Sequence, residues 1–381
     1  MTEHALIPRT ASIAIADMLD NCAELQPGQR VLIMAHMDGL HGGDNLVDEQ
    51  VINWIAAGVQ ERHAYPSILW VDEPFNAYDW KMPKIAKAAL AGADILINNS
   101  FDITIEEVQE LREGLMSGNC VMVRNFATTT PLMTSAYAQT PHELVCQIRY
   151  QVGAMFEEGA PYTLSDANGT HLEGRIGAPL PVMHWTQWRR ETSYRPFPEW
   201  VHPPVNINDS TGELIFDRSL SWWTRYVGLP PFFSKPVRAT VEGGTIKRFE
   251  GGAEADTLTS FFKWLTNRFG QDVMKLTACH SGVHPNAVPP DQLANQTYRR
   301  LIEHQYTSNI HFHLGDILGN PDWPANMLHL TGDIRKPTWK VGEDMVHVDG
   351  NLTALEHPEV QAVAAKYPDR PGLPKDAWSG F

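Results

Sequence analysis

The sequence predicts an α/β protein in two parts: an N-terminal parallel-sheet α/β domain over 1–158, then a β-rich (α+β) domain over 159–381. Three observations predict it. Up to about residue 158, short apolar runs of buried-strand type alternate with helix-length segments, the pattern of parallel strands covered on both faces. Beyond Gly159, turn sequences such as Asp166-Ala-Asn-Gly169, Asn208-Asp-Ser-Thr-Gly212 and Glu242-Gly-Gly244 cut the chain into short strands. Nine of the twelve tryptophans and eleven of the sixteen histidines stand at or beyond residue 171, so a pocket and its chemistry are expected there.

Along the first part, Ile13 to Leu25 is amphipathic at helical spacing and stops at Pro27-Gly28, before the apolar run Arg30-Val-Leu-Ile-Met-Ala35. Val47 to Glu61 reads as a helix, Ser67 to Val71 as a strand, Lys84 to Ala91 as a helix and Asp94 to Ile97 as a strand. Helix Ile105 to Met116, strand Val121 to Val123 and helix His142 to Glu157 complete the series. Such sheets take ligands beyond the C-terminal ends of their strands. The Pro- and Gly-rich tail, Tyr367 to Phe381, is expected to lie extended along a surface or a partner subunit.

With 45 acidic and 30 basic side chains the formal charge is −15, which argues against nucleic-acid partners and against anionic membrane surfaces. No apolar run approaches a membrane span. The N-terminus shows no basic segment followed by an apolar one, so no signal peptide is expected. Cys22, Cys120, Cys146 and Cys279 are scattered, neither a disulfide framework nor a zinc ribbon. The expected location is the cytoplasm, and the expected assembly is a homo-oligomer.

Gly39-Leu-His-Gly-Gly-Asp44 lacks the spacing of a phosphate loop and reads as a tight strand-to-helix turn. His36, Asp38, His41 and Asp44 suit either a polar loop with a helix cap or a metal cluster. No G-x-S-x-G elbow is present. Cys279 and His280 are adjacent, so on a strand they point to opposite faces and make a poor nucleophilic pair.

Met345-Val-His-Val-Asp-Gly350 places His347 and Asp349 at i and i+2, one face of a strand. With His280 from Ala278-Cys-His-Ser-Gly282 they form a set of two histidines and a carboxylate, the facial triad of non-haem Fe(II). A strand histidine held by an aspartate is the plainer reading of the His-x-Asp pair alone. His311-Phe-His313 is a second same-face pair, able to ligate a metal or line a pocket. Four prolines bracket Glu199 and His202 in Arg195-Pro-Phe-Pro-Glu-Trp-Val-His-Pro-Pro204, a stiff loop that holds a carboxylate or makes a surface turn.

Taken together these segments resemble the aminopeptidase T type metallopeptidases. Ile15-Ala-Asp-Met-Leu to Pro27-Gly-Gln-Arg-Val-Leu-Ile33 is similar to that family's opening helix, turn and first strand. Phe197-Pro-Glu199-Trp-Val-His-Pro-Pro204, with Thr211-Gly-Glu-Leu-Ile-Phe-Asp217 after it, resembles its metal-glutamate motif. Cys279-His280-Ser-Gly-Val-His-Pro285 and Val346-His347-Val-Asp349 resemble its later histidine motifs. The residues also look like the family's mononuclear branch, the 2,5-dihydroxypyridine 5,6-dioxygenases, and that resemblance implies Fe(II) held by His280, His347 and Asp349. The peptidase tyrosine falls at Ala287, and the second metal glutamate has no counterpart, with Glu250 and Glu254 in a Gly-rich turn. One metal therefore fits better than the two ions about 3.5–4 Å apart of a peptidase.

The activity so implied is ring cleavage by O2 of a small hydroxylated aromatic or N-heteroaromatic substrate. The alternative is a two-metal Zn or Co aminopeptidase, and a third class is a ligand-binding protein without catalysis. Glu199, His202 and His284 are the candidate bases, in that order. Trp185, Trp188, Trp222 and Trp223 are candidate pocket walls, with core packing as the plainer role for each. The long stretch between His280 and His347 carries His304, His311, His313 and His329, which leaves the pocket's shape open.

Overall fold

The computed structural model describes residues 6–37, 46–72, 84–99, 120–178, 194–198, 201–202, 204–207, 209–218, 220, 224, 228–230, 232–270, 272–315 and 330–374. Asp38, His41, Asp44, the 105–116 helix, Trp185, Trp188, Glu199, Trp222, Trp223 and His329 lie outside the described residues.

The first part is a five-stranded, wholly parallel sheet in the order β2-β1-β3-β4-β7. Its strands are β1 (Arg30–Met37), β2 (Tyr65–Asp72), β3 (Ile95–Asn99), β4 (Val121–Asn125) and β7 (Tyr194–Phe197). The uninterrupted apolar runs arise because both faces are covered. Val31, Ile33 and Ala35 of β1 enter the main core, while Leu32 and Met34 enter a smaller cluster on the other face. Ile95 and Ile97 against Leu96, and Val123 against Met122, continue that alternation across β3 and β4.

Helix α1 (Arg9–Ala16), extended by a π-helical turn over Asp17–Cys22, and α2 (Glu49–Glu61) pack Ile15, Leu19, Val51 and Ile55 on the main-core side. Helix α3 (Lys84–Leu90) places Ala86 on the other. Helix α4 (His142–Gly153) follows two one-turn helices and packs Leu144, Val145 and Ile148 into the main core.

The second part holds two antiparallel sheets. The larger has eight strands: β11 (Thr245–Glu250), β10 (Val237–Glu242), β9 (Thr211–Phe216), β6 (His171–Arg175), β5 (Pro161–Ser165), β15 (Thr338–Val341), β16 (Asp344–Val348) and β17 (Asn351–Leu352). The smaller has the order β14-β13-β12-β8, from β14 (Leu330–Arg335), β13 (Asn309–Leu314), β12 (Leu276–Ser281) and β8 (Val205–Asn206). Helix α5 (Ala253–Phe269) ends on Gly270, whose φ of +66° and N–H bond to the Thr266 carbonyl make a left-handed cap.

The chain crosses residue 158 more than once. Strand β7 returns to the parallel sheet after β5 and β6 have formed. Glu359, on the C-terminal helix α7 (Pro358–Ala365), accepts hydrogen bonds from Gln147 and Gln151 of α4 at 2.9 and 2.8 Å. The following segment lies along its own chain, where Arg370 pairs with the buried Asp17 at 2.6 Å and Asn286 donates to the Gly372 carbonyl at 2.8 Å. Tyr298, on α6 (Gln296–Glu303), bonds the Phe126 carbonyl just past β4 and Thr128, and so ties the small sheet's helix to the parallel sheet. No helix among the described residues is long and apolar enough to cross a membrane.

Candidate metal centre

Strand pairing builds the site. In β12, β13 and β14, His280 stands opposite His311, and His311 opposite Asp333, so one row across three strands carries two imidazoles and a carboxylate. His313 lies two residues along β13 on the same face as His311. The donor atoms of His280, His311 and His313 all fall within 4.8 Å of one another, and all three side chains are buried. The ring of His280 stacks on that of His311 at 4.6 Å and 13°, and lies 4.8 Å from that of His313.

Strand β7 delivers His202 to this row. Phe126 donates its N–H to the carbonyl of Phe197, and beyond Phe197 the chain reaches Val201, bridged to Gly282, and then His202. The N–H of His202 donates to the Ser281 carbonyl at 3.2 Å, and His280 Nδ1 donates to the His202 carbonyl at 2.7 Å. With Nδ1 protonated in that bond, His280 keeps its lone pair on Nε2, the tautomer a metal needs. Gly282 is required by close approach: a Cβ there would stand 2.2 Å from the Tyr306 carbonyl oxygen.

Burial, together with the neighbouring His313 and His202, holds the His280 imidazole well below its usual range. It is neutral at neutral pH and ready to ligate. Three buried imidazoles fit a borderline divalent metal such as iron or zinc.

A second set of donors, His304, His311 and Asp333, also lies within 4.8 Å. Its carboxylate is already engaged. His304 Nδ1 donates to Asp333 at 2.8 Å, and Arg300 pairs with the other oxygen at 3.0 Å while also pairing with Glu303. A cation beside Asp333 would face that guanidinium, so charge disfavours a second ion there.

The fold distributes the other expected site residues differently. The same-face expectation for His347 and Asp349 does not hold, because β16 ends at Val348 and Asp349 turns away with φ +48°. Asp349 is exposed and accepts from Thr338 Oγ1 at 3.2 Å, while His347 is wholly buried. His347 Nε2 is 3.1 Å from the Thr307 carbonyl and 3.2 Å from Ser281 Oγ, and Ser281 faces away from His280 along β12. Neither residue belongs to a three-donor set among the described residues.

His284 packs its ring 4.7 Å from that of Tyr137 and accepts from the Asn286 N–H at 3.2 Å. Burial pushes it down to about 3, which makes it a poor proton acceptor near neutral pH. His202 is the candidate base that stands beside the cluster, its ring 5.8 Å from that of His280 and 5.0 Å from Phe156. Asp333 joins the site only through the strand register, and His304 through its hydrogen bond to Asp333, neither of which a local sequence pattern marks. For His311 and His313 the same-face spacing on an apolar strand was the available signal.

A pH dependence follows. Burial pushes His347 down to about 4 and His284 to about 3, whereas both return to about 6.5 on unfolding. Between those limits the unfolded chain binds more protons, so stability is full above about pH 6.5 and falls as pH drops. The loss should reach about 2 kcal/mol per histidine by pH 5. Denaturant unfolding of the metal-free protein at pH 7 and pH 5 measures it, and an unchanged midpoint would refute neutral burial of these rings.

No protein-family model and no curated protein sequence matches the chain. Solved structures do. The chain shares its fold with the 2,5-dihydroxypyridine dioxygenase from Pseudomonas putida KT2440, at a TM-score of 0.62 and 12% identity over 91% of this chain and 98% of that one. It is also similar to AmpT from Thermus thermophilus, at a TM-score of 0.51 and 10% identity over 90% of this chain and 99% of that one.

Proposed function

We propose that this chain is a mononuclear non-haem Fe(II) dioxygenase that opens a hydroxylated aromatic or N-heteroaromatic ring with O2. The observation that supports it is the convergence of His280, His311 and His313, three buried imidazoles on one sheet face, within the fold of a dihydroxypyridine dioxygenase. His280 keeps its place in the ligand set expected from the sequence, and we assign His311 and His313 in place of His347 and Asp349. Iron bound by these rings supplies Lewis acidity toward a ring hydroxyl and redox chemistry toward O2.

The chain's own part is orientation and proton management. The His202 carbonyl fixes the tautomer of His280. Phe156 and Trp339, with rings 5.0 and 6.3 Å from that of His202, make an apolar wall that keeps water from the base. Glu199 and then His202 are the proposed acceptors for the ring hydroxyl proton, and Glu199→Gln should leave iron bound while turnover falls roughly 10²–10⁴-fold.

The second reading, a two-metal Zn or Co aminopeptidase, draws on the AmpT likeness and on the second donor set around Asp333. Anaerobic metal analysis, followed by oxygen uptake with hydroxypyridines and catechols and by hydrolysis of aminoacyl anilides, separates the two. One iron per chain with oxygen consumption supports the dioxygenase. Two divalent ions with amide hydrolysis would overturn it. A solution mass near the 42.7 kDa of one chain would contradict the proposed homo-oligomer.

A further inference from the structure

We infer that His304 and Asp333 are positioning residues that hold the imidazole of His311 in its ligating orientation, an inference that rests on the metal-centre reading above. His304 follows α6 directly and sits 1% exposed. Its ring stacks on that of His311 at 3.5 Å and 30°. Because β13 lies between β12 and β14, His280 packs on His311 from one neighbouring strand while Asp333 stands opposite it on the other, and His304, bonded to Asp333, stacks on it from the end of α6. The His311 ring is thereby fixed from both sides.

What fixes His304 is a chain of charge. Its Nδ1–H donates to Asp333 Oδ1 at 2.8 Å, and Asp333 Oδ2 accepts from Arg300 at 3.0 Å. Arg300 also pairs with Glu303, three residues along the last turn of α6. All of these side chains are at most 7% exposed. Burial alone would raise the Asp333 carboxyl, yet His304, Arg300 and Arg335 outweigh it and hold it below the usual range.

A buried ionic cluster of this kind is costly to desolvate, and apolar residues of similar volume often serve stability as well. Its placement against one ligand of the cluster accounts for what stability does not. Outer groups that fix a ligand's orientation are typically worth 10–100-fold in metal affinity, and here the group on His311 is the stacked ring of His304, itself anchored by Asp333.

The test is titration of Co(II), and separately Fe(II) under anaerobic conditions, into metal-free wild type and His304→Asn. The asparagine amide takes the place of Nδ1–H, so the bond to Asp333 and the fold survive while the ring against His311 is lost. The expected result is a metal-free melting temperature close to wild type, a 10–100-fold loss of Co(II) affinity and an altered Co(II) visible spectrum. His304→Phe restores a ring without the anchor and should still bind more weakly than wild type. Equal affinity and spectrum in wild type and His304→Asn would overturn this inference and leave the metal centre standing. Two ions in the wild type, one of them lost in His304→Asn, would overturn it in favour of a second ligand site. A wild type that takes up neither metal would overturn the metal-centre reading itself, and this inference with it.

Discussion

Alanine at His280, His311 or His313, one at a time, should strip the chain of bound iron and of turnover while the metal-free protein still folds. Each ring is one of three donors within 4.8 Å, and a three-donor site that loses one keeps only two bonds to the ion. The loss of affinity should exceed the roughly 10–100-fold typical of changes one layer further out. Asp349→Ala is the matching control. Its carboxylate is exposed and bonded to Thr338, so iron should stay near one per chain. Metal-to-protein ratios after desalting read both outcomes. Iron kept by His311→Ala and lost by Asp349→Ala would return the assignment to the His-x-Asp pair. The comparison isolates the metal because it does not depend on which ring substrate is found.

The difference between those two ligand sets shows where a sequence stops being readable. The parallel sheet was legible because burial on both faces leaves continuous apolar runs, and β1 to β4 appear within a few residues of the runs that marked them. The return of β7 to that sheet was not, since edge pairing is decided by contacts far along the chain. His280 was legible from its place before a Gly-containing turn. The His-x-Asp reading assumed that a strand continues through Asp349, yet Asp349-Gly350 is a turn sequence, and Gly350 at φ +84° follows Asp349 out of the strand. Spacing of two places side chains on one face only while the strand lasts. His311 and His313 meet that condition at the centre of a fully buried strand. Asp333, opposite His311 but 22 positions away, belongs to the register between β13 and β14, which no local pattern encodes.

Arg300→Met should cost about 3–5 kcal/mol of stability, the usual penalty for removing one partner of a buried ion pair. The methionine keeps much of the apolar stem and removes the charge, which leaves Asp333 and Glu303 in a nearly dry environment, with His304 and the more distant Arg335 as the groups still favouring the Asp333 carboxylate. Lysine is no substitute, because one ammonium cannot fork between two carboxylates as the guanidinium does. The sign of the pH effect follows. Arg300 is one of the groups that lower the Asp333 carboxyl, so its removal raises that carboxyl relative to wild type, and the deficit of the variant shrinks where the carboxyl takes up a proton. The gap between wild type and Arg300→Met should therefore narrow as pH falls from 7 toward 5. Denaturant midpoints of the metal-free proteins across that range measure it, and a gap under about 1 kcal/mol at pH 7 would mean that Arg300 does not neutralise this cluster. Arg300→Met combined with Asp333→Leu and Glu303→Leu removes the three paired charges together and should regain most of the lost stability, since apolar replacement of a buried ionic group is often neutral or better. Metal affinity should not recover in that triple variant, because the anchor of His304 is gone.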